Sequence, residues 1–221
     1  MQAAVIFDVD GVLLELTSAE EEIFFNVLAA FVPAHELSRD WNSYRIRNDE
    51  NIIAEILERY DRPANLKLKI IERYLAVLQT ALANGLLATP IIPGADQLLQ
   101  HLAPRVALGI ATANLREAAA LRLSNAGLWQ HVKDQAAGAN GGGHKHKILT
   151  RLLSTLPLAR DKIIYVGDNL NDLIAGQENG VHFIGFSTDP QRLDILAEHG
   201  AKRLSPSHTT TLDMIRQILG V

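Results

Sequence analysis

Two carboxylates stand close together near the start of the chain, in the segment Asp8-Val9-Asp10-Gly11. They directly follow a short apolar run, 3–7, of the kind that forms a buried strand. Carboxylates this close repel each other unless a cation or a shared proton relieves them. Because ligands of open α/β sheets bind at the carboxyl ends of the strands, we expect Asp8 and Asp10 to lie at a binding edge.

A second acidic pair repeats this arrangement. The apolar run 163–166 leads into Gly167, and Asp168 and Asp172 follow in the turn and in the first turn of the next helix. Either acid alone could be a turn former or a helix N-terminal residue. Four carboxylates at one sheet edge would repel strongly. A hard divalent cation relieves such repulsion, and oxygen ligands favour Mg²⁺.

Two polar residues close a third apolar run, 106–111. Thr112 ends the run and Asn114 follows it. A strand-end threonine and a helix-capping asparagine would explain both without a ligand.

The glycine-rich stretch 138–147 carries two lysines, Lys145 and Lys147, which alternate with His144 and His146. Solvated side chains on a flexible loop are the simpler explanation of all four. Two histidines two residues apart are a weak metal signal, so we treat them as loop residues.

The apolar runs and the helical spacing predict an α/β fold. Strands are expected at 3–7, 106–111, 135–137, 163–166 and 182–186, and helices at 115–126, 148–156 and 171–179. This alternation is typical of βαβ units and a mostly parallel sheet. The segment 17–87 differs, because its apolar residues recur at helical spacing and it holds no convincing strand. It is expected to be an all-helical insert, or otherwise a helical layer of a single domain.

Composition narrows the class of protein. The 221 residues are 48% apolar and 21% charged, which is ordinary for a globular chain. The absence of cysteine excludes disulfides, thiolate metal sites and a cysteine nucleophile. A formal charge of -4 gives no support to nucleic-acid binding. With no leader and no apolar run of membrane-spanning length, we expect a cytoplasmic protein without a membrane partner.

The order of these motifs resembles the haloacid dehalogenase (HAD) superfamily, in its phosphoglycolate phosphatase and β-phosphoglucomutase-like branch. The matching positions are Asp8-Val9-Asp10-Gly11-Val12-Leu13, the strand-end Thr112, one lysine and Gly167-Asp168-Asn169-Leu170-Asn171-Asp172. Pro93-Gly94-Ala95 and Asn125-Ala126-Gly127-Leu128 add to the similarity.

Two positions depart from the pattern of the family. Val12 stands where threonine is frequent, and neither lysine is followed by the proline of many phosphoglycolate phosphatase-like members. The spacing to Asp168 makes Lys145 resemble the family lysine, with Lys147 as the alternative.

The resemblance implies a Rossmann-like parallel-sheet core, 1–16 and 88–221, with an all-helical cap domain, 17–87, inserted after the first strand. It also implies Mg²⁺-dependent phosphoryl transfer. Asp8 would attack phosphorus to form an aspartyl-phosphate, and Asp10 would protonate the leaving alcohol and then deprotonate the hydrolytic water.

The remaining motif residues would bind phosphate and metal. Thr112 and Asn114 would contact phosphoryl oxygens, and Lys145 would neutralise Asp8 and the phosphate. Asp168 would bind Mg²⁺ alongside Asp8 and the backbone carbonyl of Asp10. Asp172 would support these ligands without binding Mg²⁺ directly, or would bind it through a water molecule.

Asp10 distinguishes a phosphoryl-transfer enzyme from a dehalogenase. Dehalogenase members of the superfamily lack this acid, because a halide leaving group needs no proton. We therefore expect a phosphatase that acts on a small phosphorylated metabolite, with a β-phosphoglucomutase-like phosphomutase as the alternative. Arg45, Arg47 and Asn48 are candidate substrate contacts from the cap. A receiver-type signalling domain is disfavoured by the order of the motifs, and a silent binding module by the presence of every motif acid.

Overall fold

The computed structural model describes residues 2–33, 35 and 37–221, and a parallel sheet lies at its centre. Within these residues the sheet has six strands in the order β3-β2-β1-β4-β5-β6. The strands are β1 (Ala4–Phe7), β2 (Ala107–Ala111), β3 (Ala136–Ala137), β4 (Ile163–Gly167), β5 (His182–Phe186) and β6 (Leu204–Ser205). The prediction of a parallel α/β fold is confirmed.

Helices connect the strands and fill the long segment after β1. They are α1 (Ser18–Leu28), α2 (Asp49–Arg59), α3 (Leu66–Ala83), α4 (Ala95–Leu102), α5 (Arg116–Asn125), α6 (Trp129–Val132), α7 (Lys145–Leu153), α8 (Leu170–Glu178), α9 (Pro190–Glu198) and α10 (His208–Leu219). One prediction is displaced: the helix expected at 148–156 is α7, which begins three residues earlier at Lys145. In the described part of the chain, no helix combines the length and apolar character that crossing a membrane requires.

Both faces of the sheet are covered, as a parallel sheet requires. Val5 and Phe7 of β1 belong to one hydrophobic cluster, whereas Ala4 and Ile6 belong to another. This division follows from the two-residue period of a strand. Helices α4, α5, α6 and α10 supply side chains to the first cluster, and α7, α8 and α9 supply the second.

The register of the central strands places the motif residues at one edge. Phe7 pairs with Ile110 on β2 and with Val166 on β4. The residues that follow these three strands therefore meet at the carboxyl edge of the sheet, which is where we expected the acids to lie.

A tight turn after β1 carries Asp10 and returns the chain along the sheet edge. Gly11 has a φ of 73°, and its N–H donates to the Leu14 carbonyl at 2.8 Å. A Cβ at Gly11 would lie 2.5 Å from Asp168 Oδ2. Glycine is therefore required here both by the backbone conformation and by the close approach of the second acidic motif.

Helices α1, α2 and α3 pack around a third hydrophobic cluster, and we call 18–83 the helical insert. Buried side chains of this cluster include Phe25, Ile52 and Leu78. The cluster also includes Leu115 and Ala118, at and after the start of α5. The described residues of 18–87 contain no strand, in agreement with the sequence prediction.

Candidate active site

Asp8 lies directly after β1 and is 4% exposed. Its N–H donates to the Val166 carbonyl at 2.9 Å, which extends the pairing of β1 with β4. Its Oδ1 accepts from the Val9 N–H at 2.8 Å and pairs with Lys145 Nζ at 2.8 Å. Burial raises the pKa of the Asp8 carboxyl well above its usual range, against the opposing effect of Lys145. Both contacts use Oδ1, so Oδ2 is held by neither.

Lys145 connects the two acidic motifs. Its Nζ lies 2.8 Å from Asp8 Oδ1 and 3.0 Å from Asp172 Oδ1. Burial opposes the charge of this ammonium group, but the carboxylates of Asp172 and Asp8 outweigh burial and raise its pKa. The structure thus brings Lys145, and not the exposed Lys147, to the acids.

Asp172 is fully buried, and both of its oxygens already have donors. The Tyr165 hydroxyl donates to Oδ1 at 2.6 Å. The N–H groups of Asp168 and Asn169 donate to Oδ2 at 3.2 and 3.3 Å. Together with Asn169, the residue forms a capping box at the start of α8. These bonds fix the turn that carries Asp168.

Asp168 is the third buried acid at this edge. Its Oδ1 accepts from Asn169 Nδ2 at 2.9 Å, and its Oδ2 pairs with Arg192 of α9. Burial, with a further contribution from Asp172, raises its pKa to about 6. The role of Arg192 as a partner of this acid was missed from the sequence, since α9 carries none of the motifs.

Three of these carboxylates could hold a metal ion. Asp8, Asp168 and Asp172 are buried, and each offers an oxygen that lies within 4.8 Å of the other two. An all-oxygen donor set of this kind suits a hard cation such as Mg²⁺. The raised pKa values of Asp8 and Asp168 reflect the cost of holding these charges together in a buried place.

Thr112 and Asn114 follow β2 and differ in what they contact. Thr112 is 1% exposed and its Oγ1 accepts from the Asn114 N–H at 3.2 Å. The Asn114 side chain does not cap α5: the N-cap residue is Leu115, which makes no side-chain capping bond. The Asn114 Oδ1 accepts instead from Arg122 at 2.9 Å.

Asp10 is held by an arginine that the sequence analysis missed. Arg122 of α5 is 1% exposed, and its Nη2 lies 2.6 Å from Asp10 Oδ1. Its Nε lies 2.7 Å from Oε2 of Glu20, which belongs to α1 of the helical insert. Burial raises the pKa of the Glu20 carboxyl to about 8, although Arg122 lowers it.

A signal for Arg122 was present in the sequence. Within α5 and its N-cap, the buried positions are Leu115, Ala118, Ala119, Arg122 and Leu123. Arg122 therefore lies on the stripe that a helical period assigns to the core. A charge on such a stripe requires a buried partner.

The helical insert meets the core through hydrogen bonds at the start of α2. The Asp49 carboxylate accepts from the Leu115 N–H at 2.8 Å, and the Asp49 N–H donates to the Ala113 carbonyl at 3.1 Å. Burial raises the pKa of Asp49 to about 7. The insert is thus joined to the loop between Thr112 and α5.

The glycine-rich loop makes a second junction with the insert. Asn48 Nδ2 donates to the Gly143 carbonyl at 2.7 Å, and the Gly143 N–H donates to Asn51 Oδ1 at 2.8 Å. The Gly141 N–H donates to Glu50 Oε2 at 2.8 Å. The stretch predicted as a flexible, solvated loop therefore carries ordered contacts.

A cleft of about 1080 Å³ lies over these residues. Core residues at its wall include Asp8, Asp10, Thr112, Lys145 and Asp168, and the insert contributes Trp41, Ile46, Arg47 and Asn48. Of the three insert residues predicted to reach substrate, Arg45 instead pairs with Glu55 and Glu58. His144 and His146 also line the cleft, with their rings stacked at 5.8 Å.

Solved structures with the same fold span nearly the whole chain. The crystal structure of CbbY from Rhodobacter sphaeroides in complex with phosphate has a TM-score of 0.72 and 21% identity, over 94% of this chain and 95% of that one. A predicted phosphatase from Clostridium acetobutylicum has a TM-score of 0.70 and 19% identity, over 98% and 99%. A hydrolase from Pseudomonas syringae has a TM-score of 0.70 and 18% identity, over 98% and 99%.

Sequence comparison with curated proteins finds no significant match. The sequence profile of the haloacid dehalogenase-like hydrolases, in contrast, matches residues 5–186. This range includes both acidic motifs, Thr112 and Lys145. The chain therefore belongs to the haloacid dehalogenase-like hydrolase family, as its ordered motifs predicted.

Proposed function

We propose that this hydrolase is a Mg²⁺-dependent phosphatase that cleaves a small phosphate monoester through an aspartyl-phosphate on Asp8. The observation that carries this proposal is the buried Asp8 carboxylate, which is paired with Lys145 at 2.8 Å inside a cluster of acids. The CbbY structure of the same fold holds a phosphate, which supports a phosphorylated substrate. We expect the protein itself to be cytoplasmic.

In this proposal the attacking oxygen is Asp8 Oδ2, because Oδ1 is engaged by Val9 and Lys145. A phosphate monoester is a dianion, so a carboxylate that attacks it meets repulsion. The Lys145 ammonium reduces this repulsion and stabilises the charge that develops on the phosphoryl oxygens.

Asp10 transfers the protons. It gives a proton to the ester oxygen as the bond from phosphorus to the leaving alcohol breaks, and it then takes one from the water that hydrolyses the aspartyl-phosphate. Thr112 lines the cleft, and in this proposal its hydroxyl donates to a phosphoryl oxygen. Asn114 is engaged with Arg122 through its Oδ1, so Nδ2 is the group it could offer to phosphate.

The donor set fits the metal ion that the family implies. Asp8 and Asp168 would hold Mg²⁺ with the backbone carbonyl of Asp10, while Asp172, whose oxygens already accept four hydrogen bonds or ion pairs, would support them. When bound, Mg²⁺ supplies positive charge that offsets the acids and the phosphate.

We further propose that residues 17–87 are a cap domain and that 1–16 and 88–221 are the core. The separate hydrophobic cluster of the helical insert supports this division. Because Trp41, Arg47 and Asn48 line the cleft from the insert side, the cap would select the leaving group and exclude water.

The test is the release of phosphate from p-nitrophenyl phosphate with and without Mg²⁺, followed by a panel of phosphometabolites. We expect turnover that EDTA removes and Mg²⁺ restores. The nucleophile is tested with Asp8→Asn. Asp161→Asn is its matched control, because it makes the same chemical change at an exposed residue before β4, away from the site. A wild-type protein that releases no phosphate from any ester, or one equally active in EDTA, would contradict the proposal.

A further inference from the structure

Arg122 is buried, charged and unused by the mechanism proposed above. Each of its guanidinium nitrogens has an acceptor. Nη2 is 2.6 Å from Asp10 Oδ1, Nε is 2.7 Å from Glu20 Oε2, and Nη1 is 2.9 Å from Asn114 Oδ1. The guanidinium therefore joins the turn after β1, the first helix of the insert and the loop after β2.

An apolar residue would cover this part of α5 at lower cost. Removing a guanidinium from water carries a desolvation penalty that is recovered only when its geometry and partners are good. The buried stripe of α5 otherwise consists of Leu115, Ala118, Ala119 and Leu123. Packing alone thus gives no reason for an arginine at position 122.

The partners show what the arginine does. The planar guanidinium can hold several acceptors in a fixed arrangement, which a lysine ammonium on a flexible stem does not reproduce. Asn114 and Glu20 fix the plane from two sides, and the remaining nitrogen fixes one oxygen of Asp10. The pair uses Oδ1, so Oδ2 of Asp10 is left for proton transfer.

Glu20 also matters for charge. Because Glu20 shares the guanidinium at 2.7 Å, one positive charge is divided between two acids. Glu20 belongs to α1, so this balance depends on the helical insert as well as on the core.

We propose that Arg122 is a positioning residue for Asp10: anchored by Glu20 and Asn114, it orients the carboxyl group that protonates the leaving alcohol. This inference rests on the proposed phosphatase activity. In the step concerned, Asp8 Oδ2 forms a bond to phosphorus while the bond from phosphorus to the ester oxygen breaks. At the same time a proton passes from Asp10 to that ester oxygen. Arg122 touches neither the phosphorus nor the ester oxygen.

The test uses a series of aryl and alkyl phosphates whose leaving groups differ in acidity. A poor leaving group needs the proton, whereas p-nitrophenolate leaves without much help. kcat/KM reports the steps up to release of the alcohol, so its dependence on leaving-group pKa measures the help from Asp10. Arg122→Lys is compared with wild type, Asp10→Asn and the control Arg116→Lys.

Arg116 is a matched control because it lies on the same helix and its guanidinium is directed elsewhere. Its Nε donates to the Ala136 carbonyl at 3.2 Å, and its guanidinium stacks 5.4 Å from the Trp129 ring. We expect Arg122→Lys to lose about a hundredfold in kcat/KM on alkyl phosphates, the cost of a misplaced catalytic group. It should change little on p-nitrophenyl phosphate, so that its slope approaches that of Asp10→Asn.

Two further variants separate positioning from folding. In an Asp10→Asn background, Arg122→Lys should cause no further loss on alkyl phosphates, because the group that it positions is gone. Glu20→Gln keeps the size of the side chain and should steepen the slope in the same direction, which serves as the test if Arg122→Lys does not fold.

The outcomes are distinguishable. An equal loss across all leaving groups in Arg122→Lys and Glu20→Gln, with an active wild type, would overturn the positioning role alone. The positioning role would also be overturned if the double variant lost kcat/KM on alkyl phosphates by the product of the two single losses of Asp10→Asn and Arg122→Lys. A wild type without activity on every phosphate ester would remove the proposed function and this inference with it.

Discussion

Asp8 and Asp10 are separated by one residue, yet each is paired with a buried cation from a different part of the molecule. Lys145 holds Asp8, and its other partner, Asp172, belongs to the core as well. Arg122 holds Asp10, and its other acidic partner, Glu20, belongs to the helical insert. The proposed nucleophile is thus fixed within the α/β core, whereas the proposed proton donor is fixed between the core and the insert.

This difference indicates which of the two acids depends on the helical insert for its position. The Asp8 side has partners on β4, α7 and α8, which pack around one hydrophobic cluster. Its ion pairs therefore use no side chain of the insert, which on this side is hydrogen-bonded to the loop before Lys145. The Asp10 side depends on a contact between α1 and α5, so its geometry is expected to follow the insert.

The largest expected effect comes from removing the carboxylate of Asp8, the proposed nucleophile. Asp8→Asn should reduce phosphatase turnover by at least about 10⁴-fold, because the amide of asparagine cannot replace the carboxylate that attacks phosphorus in the proposed mechanism. Turnover is measured with p-nitrophenyl phosphate and Mg²⁺, and the fold is checked by circular dichroism. Undiminished turnover would assign the nucleophile to another residue and end the comparison between the two acids.

The next effect tests the cation on the Asp8 side. Lys145→Ala should lower kcat by about 10²–10³-fold, the usual cost of removing a charge that stabilises the transition state. Lys147→Ala is the matched control, since Lys147 is exposed and lies on the same helix. The reverse ranking of the two lysines would reassign the role and would show that the observed pair with Asp8 is not the functional one.

A smaller effect is expected when the support behind Asp172 is removed. Tyr165→Phe deletes the hydroxyl that donates to Asp172 Oδ1 at 2.6 Å. The free energy of unfolding should fall by about 1–3 kcal/mol, because a buried acceptor loses a donor. Turnover should fall by about tenfold. If stability changes and turnover does not, then Asp172 supports the fold of the edge and not its chemistry.

The smallest effect on turnover is expected at His208, which supports the turn after Asp10. Its Nε2 donates to the Val12 carbonyl at 2.8 Å, and burial lowers its pKa to about 4. In the unfolded chain the imidazole of His208 is protonated as the pH falls below about 6.5, whereas in the folded protein it is protonated only near pH 4. Stability is therefore complete above pH 6.5 and falls as the pH drops to 4, by about 3 kcal/mol.

Urea unfolding at several pH values measures this contribution. His208→Gln should keep turnover within about twofold while losing that part of the pH dependence of stability. An unchanged pH dependence in His208→Gln would show that the buried imidazole is not the group responsible.

The sequence predicted the fold, and it also singled out the residues that the structure brings together around Asp8. Strand β5 was predicted at its observed bounds, and β2 and β4 to within one residue, because buried parallel strands are continuous apolar runs between turns. The two-residue strand β6 was missed, since Leu204-Ser205 is too short to form such a run. The lysine choice was open from spacing alone and needed the three-dimensional contact of Lys145 with Asp8.

The Asp10 side was harder to predict for a physical reason. The motif acids belong to strand ends whose register follows from the pattern of the sheet. The contact of Arg122 with Asp10 joins residues 112 positions apart, and that with Glu20 depends on how the insert packs on α5. The buried stripe of α5 marks position 122 as unusual, but a stripe alone does not name the partner.

The glycine-rich loop bears on how new specificities could arise in this enzyme. The backbone groups of Gly141 and Gly143 are hydrogen-bonded to the side chains of Glu50, Asn48 and Asn51 of the insert. An insert transplanted from a relative would lose these contacts unless its own counterpart of 141–143 came with it. Residues 48–51 and 141–143, nearly a hundred positions apart, would therefore have to be exchanged together. Chimeras that exchange both stretches should fold where exchange of the helical insert alone fails.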